Sequence, residues 1–261
     1  MNNRFVPKYS QNIFHNPKSK YAVFIFVLNE GQRIIDQIKK WSSYLKLYDL
    51  YIVDGGSDDN TDEKISFYKS NTSGVLIKNQ DGGLSYQMLI AFDFGLQNNY
   101  EGFIFVDGNN KDDCSSIPKF ANLLELGYDH IQGSRFIKHG KAINTPFLRY
   151  WGVKLLHAPL ISIASKFRYT DTTNGFRGYS SKFIDSPRVN IFREIFKFYE
   201  LHYYLAIQAG VNNFNVIETP VIREYPFSGK VPTKIKGIRG NLLILKTLFL
   251  CVFGFYNLRD K

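Results

Sequence analysis

The segment Tyr21 to Leu28, YAVFIFVL, is an unbroken apolar run, too short for a helix and rich in β-formers, so it predicts a strand buried on both faces. Helical spacing follows at once: Ile34, Ile35, Ile38, Trp41 and Leu45 recur at intervals of three and four, which predicts an amphipathic helix after the turn Asn29-Glu30-Gly31. The alternation then repeats. Leu50 to Val53, Val75 to Lys78 and Phe103 to Val106 read as strands, and Thr61 to Ser70, Leu84 to Leu96 and Pro118 to Leu126 as helices. Such a pattern predicts an α/β fold: a Rossmann-like, mostly parallel central sheet flanked by helices on both faces.

Polar clusters stand at three of the strand ends, where ligands bind in open α/β sheets. After the first strand comes Asn29-Glu30, after the second Asp54 to Asp59, and after the fourth the stretch IFVDGNNKDD, residues 104–113. Carboxylates packed this closely repel one another unless a metal, a lysine or a ligand compensates them. Ordinary turn and capping chemistry accounts for Ser57, Asp59 and Thr61, and a helix cap is the alternative role for Asn29. Asp112 and Asp113 suit a solvated helix start. Capping does not explain Asp54 directly on its strand end, nor three such clusters on one sheet edge.

With 261 residues and no Pro/Gly/Ser linker, the chain is expected to form a polar arm (1–19), one domain (20–240, with halves 20–113 and 114–240) and a C-terminal amphipathic helix (241–261). The first twenty residues lack an apolar core, which argues against a signal peptide, and two distant cysteines suggest neither a disulfide framework nor a cysteine zinc site. A cytoplasmic protein is the expectation. The formal charge of +10 is uneven: residues 132–170 carry seven Lys/Arg and no acidic residue, and residues 223–261 carry eight against Glu224 and Asp260. An anion is therefore expected to meet the second half. A nucleic-acid-binding module is the alternative of a different class, disfavoured because the basic residues gather beside an acidic strand-end cluster that would repel a polyanion. A dinucleotide enzyme is disfavoured too, since LNEGQR stands where GxGxxG would follow the first strand.

Seven motifs follow one another along the chain: NEG at 29–31, VDGGSDDNT at 53–61, GGLSYQM at 82–88, VDGNNKDDCSSIP at 106–118, QGSRF at 132–136, TDTTNGFRGYS at 170–180 and ETP at 218–220. Read in this order they resemble the nucleotide-sugar-dependent glycosyltransferases of family 2, which have the GT-A fold, and especially their polyprenyl-phosphate branch. The resemblance implies inverting transfer of a sugar from a nucleotide diphosphate sugar. It assigns Asn29, Glu30 and Asp54 to the base and ribose, and Gly83 to a close backbone approach. Asp107 and Asn109 would hold Mg²⁺ or Mn²⁺ on the diphosphate, supplemented by Lys111, Lys230 or Lys234. Two departures stand out: Asn109 replaces the second aspartate of the family's DAD motif, removing one negative charge, and Lys111 replaces a glutamine, adding a positive one.

The acceptor decides whether a base is needed. A hydroxyl must lose a proton as it attacks, whereas a phosphate monoester, with second pKa ~6, is already largely dianionic and needs positive charge. Arg135 and Arg177 are the expected phosphate contacts, with Arg149 nearby. Asp171 is the candidate base, with an ion pair to Arg177 as its structural alternative. A polyprenyl phosphate or lipid-linked glycan is therefore the expected acceptor, with a saccharide hydroxyl as the other choice. Residues 150–167 and 241–256 are apolar with scattered basic residues but fall short of a membrane span. They are expected to lie on an anionic membrane surface or to close a core or homodimer face. His130, His139, His157 and His202 lack ligand spacing and read as structural.

Overall fold

The computed structural model describes residues 4–59, 61–227 and 237–258. Its elements run β1 (Tyr9–Ile13), β2 (Tyr21–Val27), α1 (Gln32–Lys40), α2 (Ser42–Leu45), β3 (Asp49–Asp54), α3 (Thr61–Asn71), β4 (Gly74–Lys78), α4 (Leu84–Gln97) and β5 (Gly102–Asp107). A 3₁₀ turn (Cys114–Ser116) leads into α5 (Ile117–Glu125), β6 (His130–Ser134), β7 (Lys141–Ile143) and α6 (Phe147–Gly152), and a π-helical turn (Val153–His157) joins α6 to α7 (Ala158–Ser165). β8 (Arg177–Ser180), α8 (Ser181–Ile184), α9 (Glu200–Val211), β9 (Val216–Pro220), β10 (Ile222–Glu224) and α10 (Gly237–Val252) complete the described order.

Eight strands form one sheet in the order β1-β4-β3-β2-β5-β8-β6-β9. β2, β3, β4 and β5 are parallel, as are β6 and β9, while β8 runs antiparallel to both its neighbours and β1 antiparallel to β4. Alternate residues of β2 enter different cores: Ala22, Phe24 and Phe26 pack toward α4 and α9, and Val23, Ile25 and Val27 toward α1 and α5. Burial on both faces is why that strand has no polar alternation.

Two expectations change. The helix read through Ile34 to Leu45 breaks at Trp41 into α1 and α2, although Ile34, Ile38 and Leu45 all stay buried. The polar arm is not a free appendage, because Tyr9–Ile13 adds an edge strand to β4. Its side chains give no apolar period; Tyr9 packs against the core, and the backbone ladder pairs the rest.

β8 is inserted between β5 and β6, and its register sets Arg177 opposite Phe105, two residues before Asp107. β10 pairs with β7 in a separate two-stranded sheet, where Arg223 lies opposite Ala142. These two strands carry second-half cations toward the carboxylates of the first half.

Candidate active site

Asp107 ends β5, and a buried glutamine fixes the loop that follows. Gln37 Nε2 donates to the Asp107 carbonyl at 2.9 Å, and its Oε1 accepts from the Asn110 amide at 2.6 Å. Asn110 has φ 56°, a left-handed conformation that asparagine tolerates better than most residues. On the other side, Gly175 presses its Cα against Asp107, where a β-carbon would come within 2.5 Å of Oδ1. Gln87 of α4 joins the first two strand ends by donating to the carbonyls of Val27 and Val53 at 3.0 and 2.7 Å.

Arg223 supplies the charge that balances this loop. Its Nη2 donates to Asp107 Oδ2 at 2.8 Å and its Nη1 to Asp112 Oδ2 at 2.5 Å. Asp112 is 2 % exposed, so it is a buried ion-pair partner and not the solvated helix start expected of it; Asp113 does cap, accepting from the Ser115 amide. Burial opposes ionisation of Asp107, but Arg223 and Lys111 hold its carboxyl below the usual range. For Asp112, burial and the neighbouring Asp107 outweigh Arg223 and raise it. Lys111 is itself buried, its ammonium 4.9 Å from the Tyr225 ring centre, and burial with repulsion from Arg223 lowers it to about 8. Tyr225 accepts from Arg149 Nη1 at 3.0 Å; burial works against its ionisation, yet Arg223, Arg149 and Lys111 bring the phenol down to about 8.

A second buried cluster lies beside this one. Asp171 accepts from Arg135 at Nε (2.6 Å) and Nη2 (2.9 Å), with both side chains essentially inaccessible. The expected Asp171–Arg177 pair does not form; Asp171 orients Arg135 instead. Arg177 donates to the carbonyls of Asn174, His202 and Thr172 at 2.7–2.9 Å and has no carboxylate partner among the described residues. Burial, with the charge of Arg177 adding to it, depresses His130 and His202 well below the usual imidazole value.

A cavity of about 740 Å³ collects these groups. Glu30, Gly55, Gly83 and Asp107, the cations Lys111, Arg135, Arg149, Arg177 and Arg223, and the apolar Leu148, Val153, Leu156, Ile244 and Leu245 all line it. Asn29 and Asp54 are not among the lining residues. Asn29 Oδ1 accepts from the Asp58 amide, and Asp54 Oδ1 accepts from Gly56, Ser57 and the Ser57 hydroxyl, so both shape the loop. Gly83 fits closely against Phe198, and the Gly83 and Ser85 amides donate to the carbonyls of Lys197 and Phe198. Asp171 does not line the cavity, which removes it from the reach of a general base. His202 does, and its Nδ1 is buried without a partner. Lys230 and Lys234 lie outside the described residues.

No protein-family model matches the chain. It is 22% identical over 212 residues to the polyprenol monophosphomannose synthase of Mycolicibacterium smegmatis, covering 78% of this chain and 77% of that one. It is 28% identical over 133 residues to the dolichol-phosphate mannosyltransferase of Pyrococcus furiosus, covering 50% and 37%. Among solved structures, the glucosyl-3-phosphoglycerate synthase of Mycobacterium tuberculosis with Mn²⁺, UDP and phosphoglyceric acid superposes with a TM-score of 0.61 at 13% identity, over 92% of this chain and 80% of that one. The sheet order, the carboxylate at the end of β5 and these likenesses define a glycosyltransferase with the GT-A fold. Within that class the chain is similar to the polyprenyl-phosphate branch of family 2.

Proposed function

We propose that the chain moves a sugar from a nucleoside diphosphate to a lipid-borne phosphate with inversion at the anomeric carbon. The observation that carries this reading is one cavity lined at once by strand-end residues, by a set of cations and by apolar side chains of α6, the π-helical turn and α10. A nucleotide suits the first set, two phosphate groups the second and an acyl-like chain the third.

In this reading the sugar nucleotide lies over Glu30, Gly55 and Gly83, with its diphosphate toward Asp107 and Lys111. The acceptor phosphate meets Arg149 and Arg177. Arg177 suits that task because a buried guanidinium held by neutral carbonyls gains from an anion brought beside it. Arg135, already neutralised by Asp171, is a positioning member of the cation set. An acceptor oxygen attacks the anomeric carbon while the bond from that carbon to the diphosphate oxygen breaks, and the nucleoside diphosphate leaves with the electron pair. A dianionic acceptor releases no proton, which agrees with Asp171 being sealed away from the cavity.

Two oxygens suit a divalent cation here. Asn109 Oδ1 is buried without a partner, and Asn109 Nδ2 lies 3.5 Å from Asp107 Oδ2. Among the described residues no cluster of three His, Cys, Asp or Glu could hold a metal alone. Asp107 and Asn109 would therefore hold Mg²⁺ or Mn²⁺ only together with diphosphate oxygens and water. Such an ion, when bound, neutralises charge on the leaving diphosphate.

Action at a membrane surface is part of the same reading. Among the described residues no helix is long and apolar enough to cross a membrane. Phe147, Leu148, Leu155 and Ile163 on α6, the π turn and α7, with Phe253 after α10, are 70–85 % exposed. Arg149, Lys154 and Lys246 stand among them, an arrangement that suits an anionic leaflet. α10 suits both expected uses: Leu248 and Cys251 are buried among the core, and Leu242, Leu243 and Phe249 face outward. A chain cut at Gly240 would lose core residues along with surface ones.

The test offers radiolabelled UDP-, GDP- and dTDP-sugars with a short polyprenyl phosphate or the matching polyprenol. Transfer to the phosphate and not to the alcohol is expected. Comparable transfer to the alcohol, or to a free saccharide, would overturn the lipid-phosphate reading.

A further inference from the structure

Arg223 is delivered to Asp107 by backbone pairing. The Asp113 amide donates to the Ile222 carbonyl at 3.0 Å, the Glu224 amide donates to the Lys111 carbonyl at 2.8 Å, and Asp112 and Arg223 form an antiparallel bridge between them. The loop after β5 and β10 are thus zipped together, and the guanidinium is 5 % exposed with both of its carboxylates within 2.8 Å. A side chain held this way is a resident of the site. Its charge and that of Lys111 balance Asp107 and Asp112, so the cluster as built has no excess negative charge with which to attract a cation. A divalent ion at Asp107 would share that carboxylate with a guanidinium and be repelled by it.

We propose that Arg223 is the built-in counter-cation of this carboxylate cluster, and that it makes divalent-metal binding conditional on the diphosphate of the donor. This rests on the donor placement above. A nucleoside diphosphate brings the negative charge that Arg223 has cancelled, so metal and nucleotide enter together. Without nucleotide, Arg223 occupies Asp107 Oδ2 at 2.8 Å, where a metal would otherwise bind. The same arrangement offsets the loss of the second family carboxylate at Asn109, since a site with one fewer anion would otherwise leave its loop without a fixed partner.

Free Mn²⁺ is measured by electron paramagnetic resonance during titration of the full chain, alone and with saturating UDP, GDP or dTDP, nucleotide binding being read independently by thermal shift. Wild-type protein should bind Mn²⁺ at least about tenfold more tightly with the nucleotide that protects it, as expected for charges a few ångströms apart. Arg223→Gln should raise nucleotide-free Mn²⁺ affinity by about tenfold or more, and Arg223→Lys should stay near wild type. Should Arg223→Gln fail to fold, Arg223→Gln with Asp112→Asn removes one positive and one negative charge together and still frees Asp107, and is expected to show the same gain. The proposal is overturned if wild-type protein binds Mn²⁺ equally well with and without a bound nucleotide, or if the folded variants leave nucleotide-free affinity unchanged. If no nucleoside diphosphate binds, the donor reading itself is wrong and the proposal falls with it.

Discussion

Arg135 reaches Asp171 at 2.6 Å with side chains 1 % and 0 % exposed, whereas Arg223 reaches Asp107 at 2.8 Å with the carboxylate 25 % exposed. Both are guanidinium–carboxylate contacts in the same sheet region, made of the same groups. The difference is on which side the cavity lies. Asp171 turns both oxygens to Arg135 and the Thr173 amide and is walled off, so the pair fixes the loop after β6. Asp107 gives Oδ2 to Arg223 and also lines the cavity, so this pair sets the charge at the proposed place of reaction. Geometry around an ion pair, more than the pair itself, separates a strut from a reactive group.

The largest effect should come from breaking the sealed pair. Asp171→Ala leaves a buried guanidinium without its anion and should cost ~3–5 kcal/mol of stability, read by denaturant unfolding. Asp171→Asn in whatever fraction folds should keep most of its turnover; loss of turnover comparable to that of an Asp107 variant would make Asp171 part of the chemistry and erase the contrast. Asp107→Ala should do the reverse. Arg223 retains Asp112, so melting should change little, while turnover falls at least ~10²-fold, as expected for removing a preorganised charge at a reacting centre. Near-normal transfer by that variant would displace the reaction from this strand end.

A pH scan adds a third region to the comparison. Burial lowers His157, in the turn between α6 and α7, to about 4. Its unfolded form takes up a proton near 6.5, so between these values the unfolded state binds more protons and stability falls as pH falls. Between pH 7 and pH 5 this group alone should remove about 2 kcal/mol, with His130 and His202 acting in the same direction. His157→Gln should flatten part of that slope in unfolding experiments at the two pH values. An unchanged slope would move the acid sensitivity to the ion pairs.

Least energetic is the membrane contact. Phe253→Ser removes an aromatic ring that is 82 % exposed, so melting should be unaffected while sedimentation with anionic vesicles weakens several-fold. Unchanged sedimentation would leave the outer face of α10 to some other partner.

The first half of the molecule was legible because its chemistry is local. An apolar run ends, a turn follows, and Glu30, Gly83, Asp107 and Lys111 all reach the cavity from such ends. Arg223 was not singled out in that way. Its partners lie 116 and 111 residues away in sequence, and the only signal was an arginine on a short strand three residues beyond ETP. Gln37 was missed for a related reason, although a polar residue between Ile34 and Ile38 on the buried face of α1 was a visible anomaly. Asp171 was noticed but given the wrong partner, since the antiparallel insertion of β8 that carries Arg177 elsewhere has no trace in local periodicity.

The most direct test of the account is the anomeric configuration of the product. Asp171 is sealed, Asp107 is engaged by Arg223 and Glu30 by Arg33, so among the described cavity residues the assigned geometry offers no unengaged carboxylate to form a glycosyl-enzyme intermediate, and in the proposed reading the acceptor phosphate displaces the diphosphate in one step. Nuclear magnetic resonance of the glycosyl polyprenyl phosphate formed from an α-linked sugar nucleotide should therefore show the β-linked sugar. An α-linked product would mean retention, by two displacements or by same-face attack, and would contradict the account.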